Sequence, residues 1–343
     1  MSSAPDLPAG MSGKPAKSAT LHDVARVAGV SLITASRALS KPEVVSDKTI
    51  ARVQQAVQAT GYIPNLLAGG LKSQRSRMVA ALVPTISMAQ FLPTVQALTE
   101  TLDAAGYQLM LGQSGYDRVR EDALLNTMIS RRPDGIVVTG LVQSPELRER
   151  LRRVGIPVVE TWDLSEQPLD MLVGFSHQKV GAAVAAYFVG KGWQHLGIAT
   201  GDDHRATLRR EGFLQGIGRP LPTAVLPAPS NLALGRRALG DLLQQDPQLR
   251  AVYCSSDQLA HGVLVEALAR GLRVPEDLAI CGFGDADFAA HIMPALTTVQ
   301  VDGAGIGRRA AQLIIERCRG DVVTQRVFDL GFRVIERRST GGA

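Results

Sequence analysis

The chain has 343 residues, 45% of them apolar and 20% charged, the make-up of a water-soluble globular protein with more than one domain and a substantial core. No apolar run is long enough to span a bilayer, and residues 1–20, rich in Ser, Ala, Pro and Gly, lack the apolar block of a secretory signal. The net charge of +5 is unevenly spread: residues 1–77 hold ten Lys or Arg against four acids, a surplus of six, which leaves −1 for the rest. A basic head on a near-neutral body points to a polyanionic partner for the head alone. Residues 1–19 are expected to be a disordered tail, and the protein cytoplasmic. Cys254, Cys281 and Cys318 are odd in number and lack CxxC spacing, so they read as buried thiols of a reducing compartment. No cofactor or metal is expected.

In chain order, a first helix over 21–28 is expected, capped by Thr20, with Asp23 in its first turn and Gly29 as its stop. After Val30, Ser31 can cap a second helix over 32–39. So short a turn makes the two helices cross steeply, as in a helix-turn-helix. Ala35 and Leu39 would face the first helix. Leu32, Ile33, Ser36 and Arg37 fall on the opposite side, where Arg37 can reach a guanine edge or a phosphate and Leu32 and Ile33 can touch thymine methyls. The competing reading places Leu32 and Ile33 in the core. After Pro42, Ser46 can cap a third helix that ends before Gly61, with Ile50, Val53 and Val57 inward. Ser46 and Lys48 at its start suit backbone phosphates.

From Met78 the pattern changes to short apolar runs alternating with amphipathic stretches. Strands are expected over 78–83, 107–111, 135–139 and 156–161, then near 196–200, 251–254 and 278–282. Helices are expected over 93–105, 118–131, 179–190, 206–215, 258–270 and 308–317. Such alternation implies parallel sheets with helices on both faces, and two series imply two lobes with a ligand cleft beyond the strand C-termini.

The stretches Thr20-Leu21-His22-Asp23-Val24-Ala25, Ala28-Gly29-Val30-Ser31, Thr34-Ala35-Ser36-Arg37 and Gly61-Tyr62-Ile63-Pro64-Asn65, in that order, resemble the head of the LacI/GalR repressors. The core shares Ala81-Leu82-Val83-Pro84, Gly155-Ile156-Pro157-Val158-Val159, Gly174-Phe175-Ser176-His177, Ser256-Asp257-Gln258-Leu259-Ala260, Gly271-Leu272-Arg273-Val274-Pro275 and Pro294-Ala295-Leu296-Thr297-Thr298-Val299 with that family. The resemblance implies an α/β protein. An all-α helix-turn-helix head (20–64) would lead through a hinge helix and linker (65–77) to a periplasmic-binding-protein-like core (78–343). The core's N-lobe would take about 78–175 and 302–320, and its C-lobe about 176–299 and 321–338.

By the same resemblance, Thr20, Leu21, Ser31, Leu32, Ile33, Ser36, Arg37 and Ser46 contact DNA. So do Asn65, Ala68, Leu71 and Lys72 of the hinge, with Leu71 as the wedge that opens the central base step. Gly69 and Gly70 cost roughly 2 kcal/mol together in a helix, so the hinge is expected to fold only on the operator. Arg209 and Asp257 are implied to grip the effector, with Asp163, Phe175, Thr85, Phe91 and Asp285 lining the same cleft. A carboxylate accepts hydroxyl hydrogens, and an arginine fork pairs with hydroxyls or a ligand carboxylate. Gly106-Tyr107-Gln108-Leu109-Met110-Leu111, Gly115-Tyr116, Val158-Val159-Glu160, Leu169-Asp170 and Val173-Gly174-Phe175 look most like the gluconate-operon repressors. That subgroup implies gluconate or a related sugar acid as effector, with Arg209 as its carboxylate partner. The family implies a homodimer on a roughly palindromic operator. The tetramerising tail of the lactose repressor is not evident.

Three other readings are weaker. Gly303-Ala304-Gly305-Ile306-Gly307 is GxGxG near the C-terminus, not a GxGxxG after a first strand, so it opens a helix and does not bind a dinucleotide. Neither GxSxG nor HExxH occurs, so no hydrolase is indicated. A cytoplasmic sugar-binding protein without a regulatory role would fit the core alone, but not the head.

Overall fold

The computed structural model describes residues 19–63 and 75–341. The chain divides after Gln74 into two compact units. The expected tail and the hinge positions Asn65, Ala68, Leu71 and Lys72 lie outside the described residues.

The first unit is three helices, α1 (Leu21–Ala28), α2 (Leu32–Ser40) and α3 (Asp47–Thr60). Thr20 and Asp23 form a reciprocal capping box at α1, and Gly29 closes it in the left-handed conformation. The Thr20 bonds hold the Asp23 carboxyl down to about 2. Ser31 caps α2 by accepting from the Thr34 amide at 3.1 Å. Ser46 occupies the N-cap of α3, but its hydroxyl pairs with that of Thr49 at 3.0 Å, leaving the helix amides without that cap. Val24, Ala28, Ala38, Val53 and Ala56 make the small core.

In the second unit, one sheet runs β11–β5–β4–β3–β1–β2, all parallel. Its strands are β1 (Met78–Val83), β2 (Gln108–Gln113), β3 (Gly135–Thr139), β4 (Val158–Thr161), β5 (Met171–Gly174) and β11 (Val327–Asp329). Helices α4 (Leu92–Ala104), α5 (Arg118–Ser130), α6 (Pro145–Val154) and α11 (Gly303–Arg319) belong to this lobe. The other sheet runs β7–β6–β8–β9, also parallel, from β6 (Leu196–Gly201), β7 (Thr223–Leu226), β8 (Ala251–Cys254) and β9 (Ala279–Cys281). Against it lie α7 (His177–Gly190), α8 (His204–Ile217), α9 (Leu232–Gln245) and α10 (Asp257–Ala269). A two-stranded antiparallel sheet joins β10 (Thr298–Gln300) to β12 (Arg333–Ile335).

The lobe assignment needs one correction. Residues 321–338 were expected in the C-lobe, yet Val327–Asp329 pairs with β5 in the N-lobe sheet. The last crossing therefore falls after Asp329, between β11 on the N-lobe sheet and β12 in its pair with β10. Phe328, half-buried under the Arg309 guanidinium at 4.3 Å, anchors the strand there.

Both sheets reverse their strand order, between β1 and β3 and between β6 and β8. At such a reversal the connections leave in opposite directions and open a crevice at the strand C-termini. The chain just beyond these four strands is Pro84-Thr85, Gly140-Leu141, Asp202-Asp203 and Ser255-Ser256. Within the C-lobe, α7 and α8 approach closely at two glycines. A Cβ on Gly181 would lie 2.0 Å from the Arg209 carbonyl oxygen, and one on Gly212 would lie 2.1 Å from that of Gln178. That approach sets Arg209 of α8 against His177 of α7.

Candidate functional site

On α2 the inward residues are Ala35 and Ala38, both buried, with Leu39 half-buried. Leu32 is 38% exposed and Ile33 64%, which excludes the core reading for both. Ser36 and Arg37 are exposed on the same side, and Thr20, Ser31, Ser46 and Lys48 are exposed as well, while Leu21 is half-buried in the head's core. Arg52 donates to the Ala28 and Gly29 carbonyls, fixing the turn between α1 and α2 from α3. The head thus offers an apolar pair, a hydroxyl and a guanidinium on the outer face of its second helix.

In the core, an outer chamber of about 230 Å³ lies where strand ends of both lobes meet. Asp163, Tyr116 and Glu121 line it from the N-lobe, and Asp203, His204 and Arg205 from the C-lobe. Burial pushes the Asp163 and Glu121 carboxyls up, opposed by the charge of Arg205. An inner chamber beneath it is lined by Phe91, Trp162, His177, Arg209 and Ser255 among others, and Arg205 and Asp203 border both.

Arg209 is buried, and two of its five N–H donors are already bonded inside the C-lobe. One terminal nitrogen donates to His177 Nδ1 at 2.9 Å and the other to the Ser255 carbonyl at 2.9 Å. The Phe283 ring covers it at 4.1 Å. Because Nδ1 accepts from Arg209, His177 must donate from Nε2, and it does so to the Trp162 carbonyl at 2.9 Å. Burial and the neighbouring guanidinium hold this imidazole neutral. Arg209 Nε and the Tyr253 hydroxyl are the buried side-chain polar atoms left without a hydrogen bond among the described residues.

Asp257 lines a third, smaller chamber next to Gln258 and Gly284. Its carboxylate accepts from the Thr298 hydroxyl at 2.6 Å and the Ala286 amide at 2.7 Å, yet burial pushes it up to about 6. Three other expected residues line none of these chambers. Phe175 is fully buried below the cleft, edge-on to Trp162 and His177. Thr85 is buried and shares its hydroxyl with Ser87 at 2.8 Å. Asp285 is tied to Arg337 at 2.7 Å and Gln300 at 2.7 Å. Sequence reasoning had not named Tyr116, Glu121, Trp162, His177, Asp203 or Arg205 as cleft residues, although Tyr116 and His177 stand in the quoted motifs. Trp162 carries a signal only the backbone reveals, a φ of 59°, rare for a bulky residue.

A small helical head with an outward-facing second helix, joined to a two-lobed core with a polar cleft at its strand ends, defines a ligand-responsive DNA-binding protein. Residues 20–65 match the model of bacterial regulatory proteins of the lacI family, and residues 185–340 match a periplasmic binding protein-like domain. The chain is 35% identical to the HTH-type transcriptional regulator GntR of Pseudomonas aeruginosa, over 94% of this chain and 95% of that one. A LacI-family transcriptional regulator from Silicibacter pomeroyi superposes with a TM-score of 0.88 at 31% identity, covering 94% of this chain and 99% of that one. A lac repressor dimer bound to operator and the anti-inducer ONPF shares the fold, with a TM-score of 0.80 at 22% identity over 94% and 99% of the two chains. The chain belongs to the LacI family of DNA-binding transcriptional regulators. Its relatives are regulators, not enzymes, and among the described residues no helix is long and apolar enough to cross a membrane.

Proposed function

We propose that this regulator represses carbohydrate-metabolism genes and is controlled by a sugar or sugar acid, gluconate first, bound in the core cleft. The observation that carries the reading is the outer chamber itself. It is of small-metabolite size and is walled by carboxylates that accept hydroxyl hydrogens and by cations that meet a carboxylate. The stretches resembling gluconate-operon repressors single out gluconate among such ligands.

In this reading Leu32, Ile33, Ser36 and Arg37 meet base edges, while Thr20, Ser31 and Ser46 offer hydroxyls to the phosphate backbone and Leu21 contacts DNA at the start of α1. Asn65, Ala68, Leu71 and Lys72 enter the minor groove. One head buries little area, so a homodimer through the core presents two heads to a roughly palindromic operator. Arg209 and Asp257 form the inner wall of the effector site, with Asp163 at its outer wall.

The test is binding of the full-length protein to DNA upstream of its own gene neighbourhood, at fixed salt, with and without gluconate. Specific binding that shifts with gluconate supports the whole reading. Specific binding indifferent to gluconate but responsive to another sugar or sugar acid moves the effector. Specific binding indifferent to every such compound sinks the effector proposal.

A further inference from the structure

The cleft presents several cations, and they are not equally free to receive a ligand's charge. Arg209 lines the inner chamber but not the outer one, and it spends one N–H of each terminal nitrogen inside the C-lobe; turning the fork towards the outer chamber would strand His177 Nδ1 and the Ser255 carbonyl in the interior, leaving only its remaining N–H groups, Nε among them, for a ligand. Arg337, which lines none of the three chambers, is committed to Asp285 and to the Leu296 carbonyl. Arg118 is exposed, so water screens its charge. Arg205 differs from all three. It is half-buried on the first turn of α8, borders both chambers, and reaches across to the N-lobe. There it donates to the Thr139 carbonyl at 3.1 Å and lies over the Phe91 ring at 5.6 Å.

We infer that Arg205, rather than Arg209, receives the carboxylate of an acidic effector, releasing the Thr139 carbonyl as it does so. The inference rests on the sugar-acid reading above. A carboxylate offers two charged oxygens to the planar fork, where the Thr139 carbonyl offers one neutral oxygen, so the exchange favours the ligand. The N-terminus of α8 adds positive potential at the same point. The exchange also removes a bond between the lobes, so it ties effector charge to the lobe angle.

The surrounding carboxylates make Arg205 decisive for selectivity. Glu121, Asp163, Asp202 and Asp203 share the outer chamber. They serve a polyol chain as hydroxyl acceptors, but without Arg205 they would oppose an incoming carboxylate. Loss of Arg205 should therefore penalise acids far more than neutral sugars.

The experiment is calorimetric titration of the full-length protein with gluconate and with glucitol, which carries a CH₂OH in place of the carboxylate. Wild type should prefer gluconate. Arg205→Gln should lose roughly 30-fold or more in gluconate affinity, the cost of a charge-assisted fork, while glucitol affinity changes less than about threefold. Arg205→Lys, which keeps the charge but not the fork, should fall between and shows that the site still folds. Operator binding at fixed salt checks the head in every variant. Gluconate affinity in Arg205→Gln within about threefold of wild type overturns the inference and leaves the sugar-acid reading standing. So does an acid-selective loss in Arg209→Gln alone. A wild type that binds glucitol as tightly as gluconate, or that binds neither, overturns the sugar-acid reading and this inference with it.

Discussion

Two buried side chains in the core show how much of this protein's behaviour is set by single groups. Arg209 satisfies His177 and Ser255 at once, so its loss leaves two acceptors unpaired in the interior. Arg209→Ala should lower core stability by about 2–4 kcal/mol and blunt the effector response. Operator binding by the folded protein should persist, and thermal unfolding beside operator titration separates the effects. An unchanged melting temperature would show that those bonds contribute nothing net. Asp257 makes a second prediction. Its carboxyl titrates near 6 when folded and near 3.9 when unfolded, so between these values the folded state holds a proton that the unfolded state has lost. Its contribution to stability therefore falls as pH rises through about 4 to 6, by up to roughly 3 kcal/mol. In urea unfolding, wild type should weaken relative to Asp257→Asn over that window. A difference independent of pH would show that Asp257 stays ionised. At this scale the sequence is a partial guide. The family resemblance implied Arg209, Asp257, Asp163 and Phe91, and each lines one of the three chambers. Arg205 was not legible, because its partner Thr139 is 66 residues away and meets it only when the lobes are built.

In the proposed reading helix α2 carries the regulator's specificity, and its two faces were readable because the 3.6-residue period puts Ala35 inward and Ile33, Ser36 and Arg37 outward. Ile33→Ala should cost specific operator binding about 1–2 kcal/mol and leave non-specific DNA binding alone, since an apolar contact reads a base and not a phosphate. Lys48→Ala at the start of α3 should instead weaken all sequences alike and reduce the salt slope by about 1. Equal losses from both variants on specific and random DNA would place α2 outside the groove. Other elements resisted reading for physical reasons. Strands β10, β11 and β12 are three residues each, too short for any period, and exist because a partner strand is there to pair them. Helix α6, absent from the expected elements, is legible in the sequence. Its Ser144 cap, Pro145 and the Leu147/Leu151 pair are the signature of a helix whose other face is charged. The GxGxG stretch does open α11, with Asp302 as its cap accepting from the Gly305 amide at 2.7 Å.

Across the whole molecule, the head is linked covalently to the core at the point where the chain enters β1. Asp134, just before β3, holds that point. Its carboxylate accepts from the Ser76 amide at 2.9 Å and hydroxyl at 3.2 Å, and from the Arg77 amide at 3.0 Å. Arg77 sits at a φ of 54°, a conformation that needs such bonds to persist. Asp134→Ala should leave effector affinity intact while reducing the effect of effector on operator binding. An unchanged effect would mean that this anchor carries no coupling. The coupling between one gluconate site and the operator must be reciprocal, whatever motion carries it. If gluconate weakens operator affinity by some factor, saturating operator must weaken gluconate affinity by that same factor, expected within about 5- to 150-fold. Four dissociation constants at one salt concentration decide it. Equal ratios close the thermodynamic cycle and tie the operator response to the same gluconate site whose affinity is measured. Operator affinity that responds to gluconate, beside gluconate affinity indifferent to operator, would mean that gluconate reaches the head by a route other than the cleft.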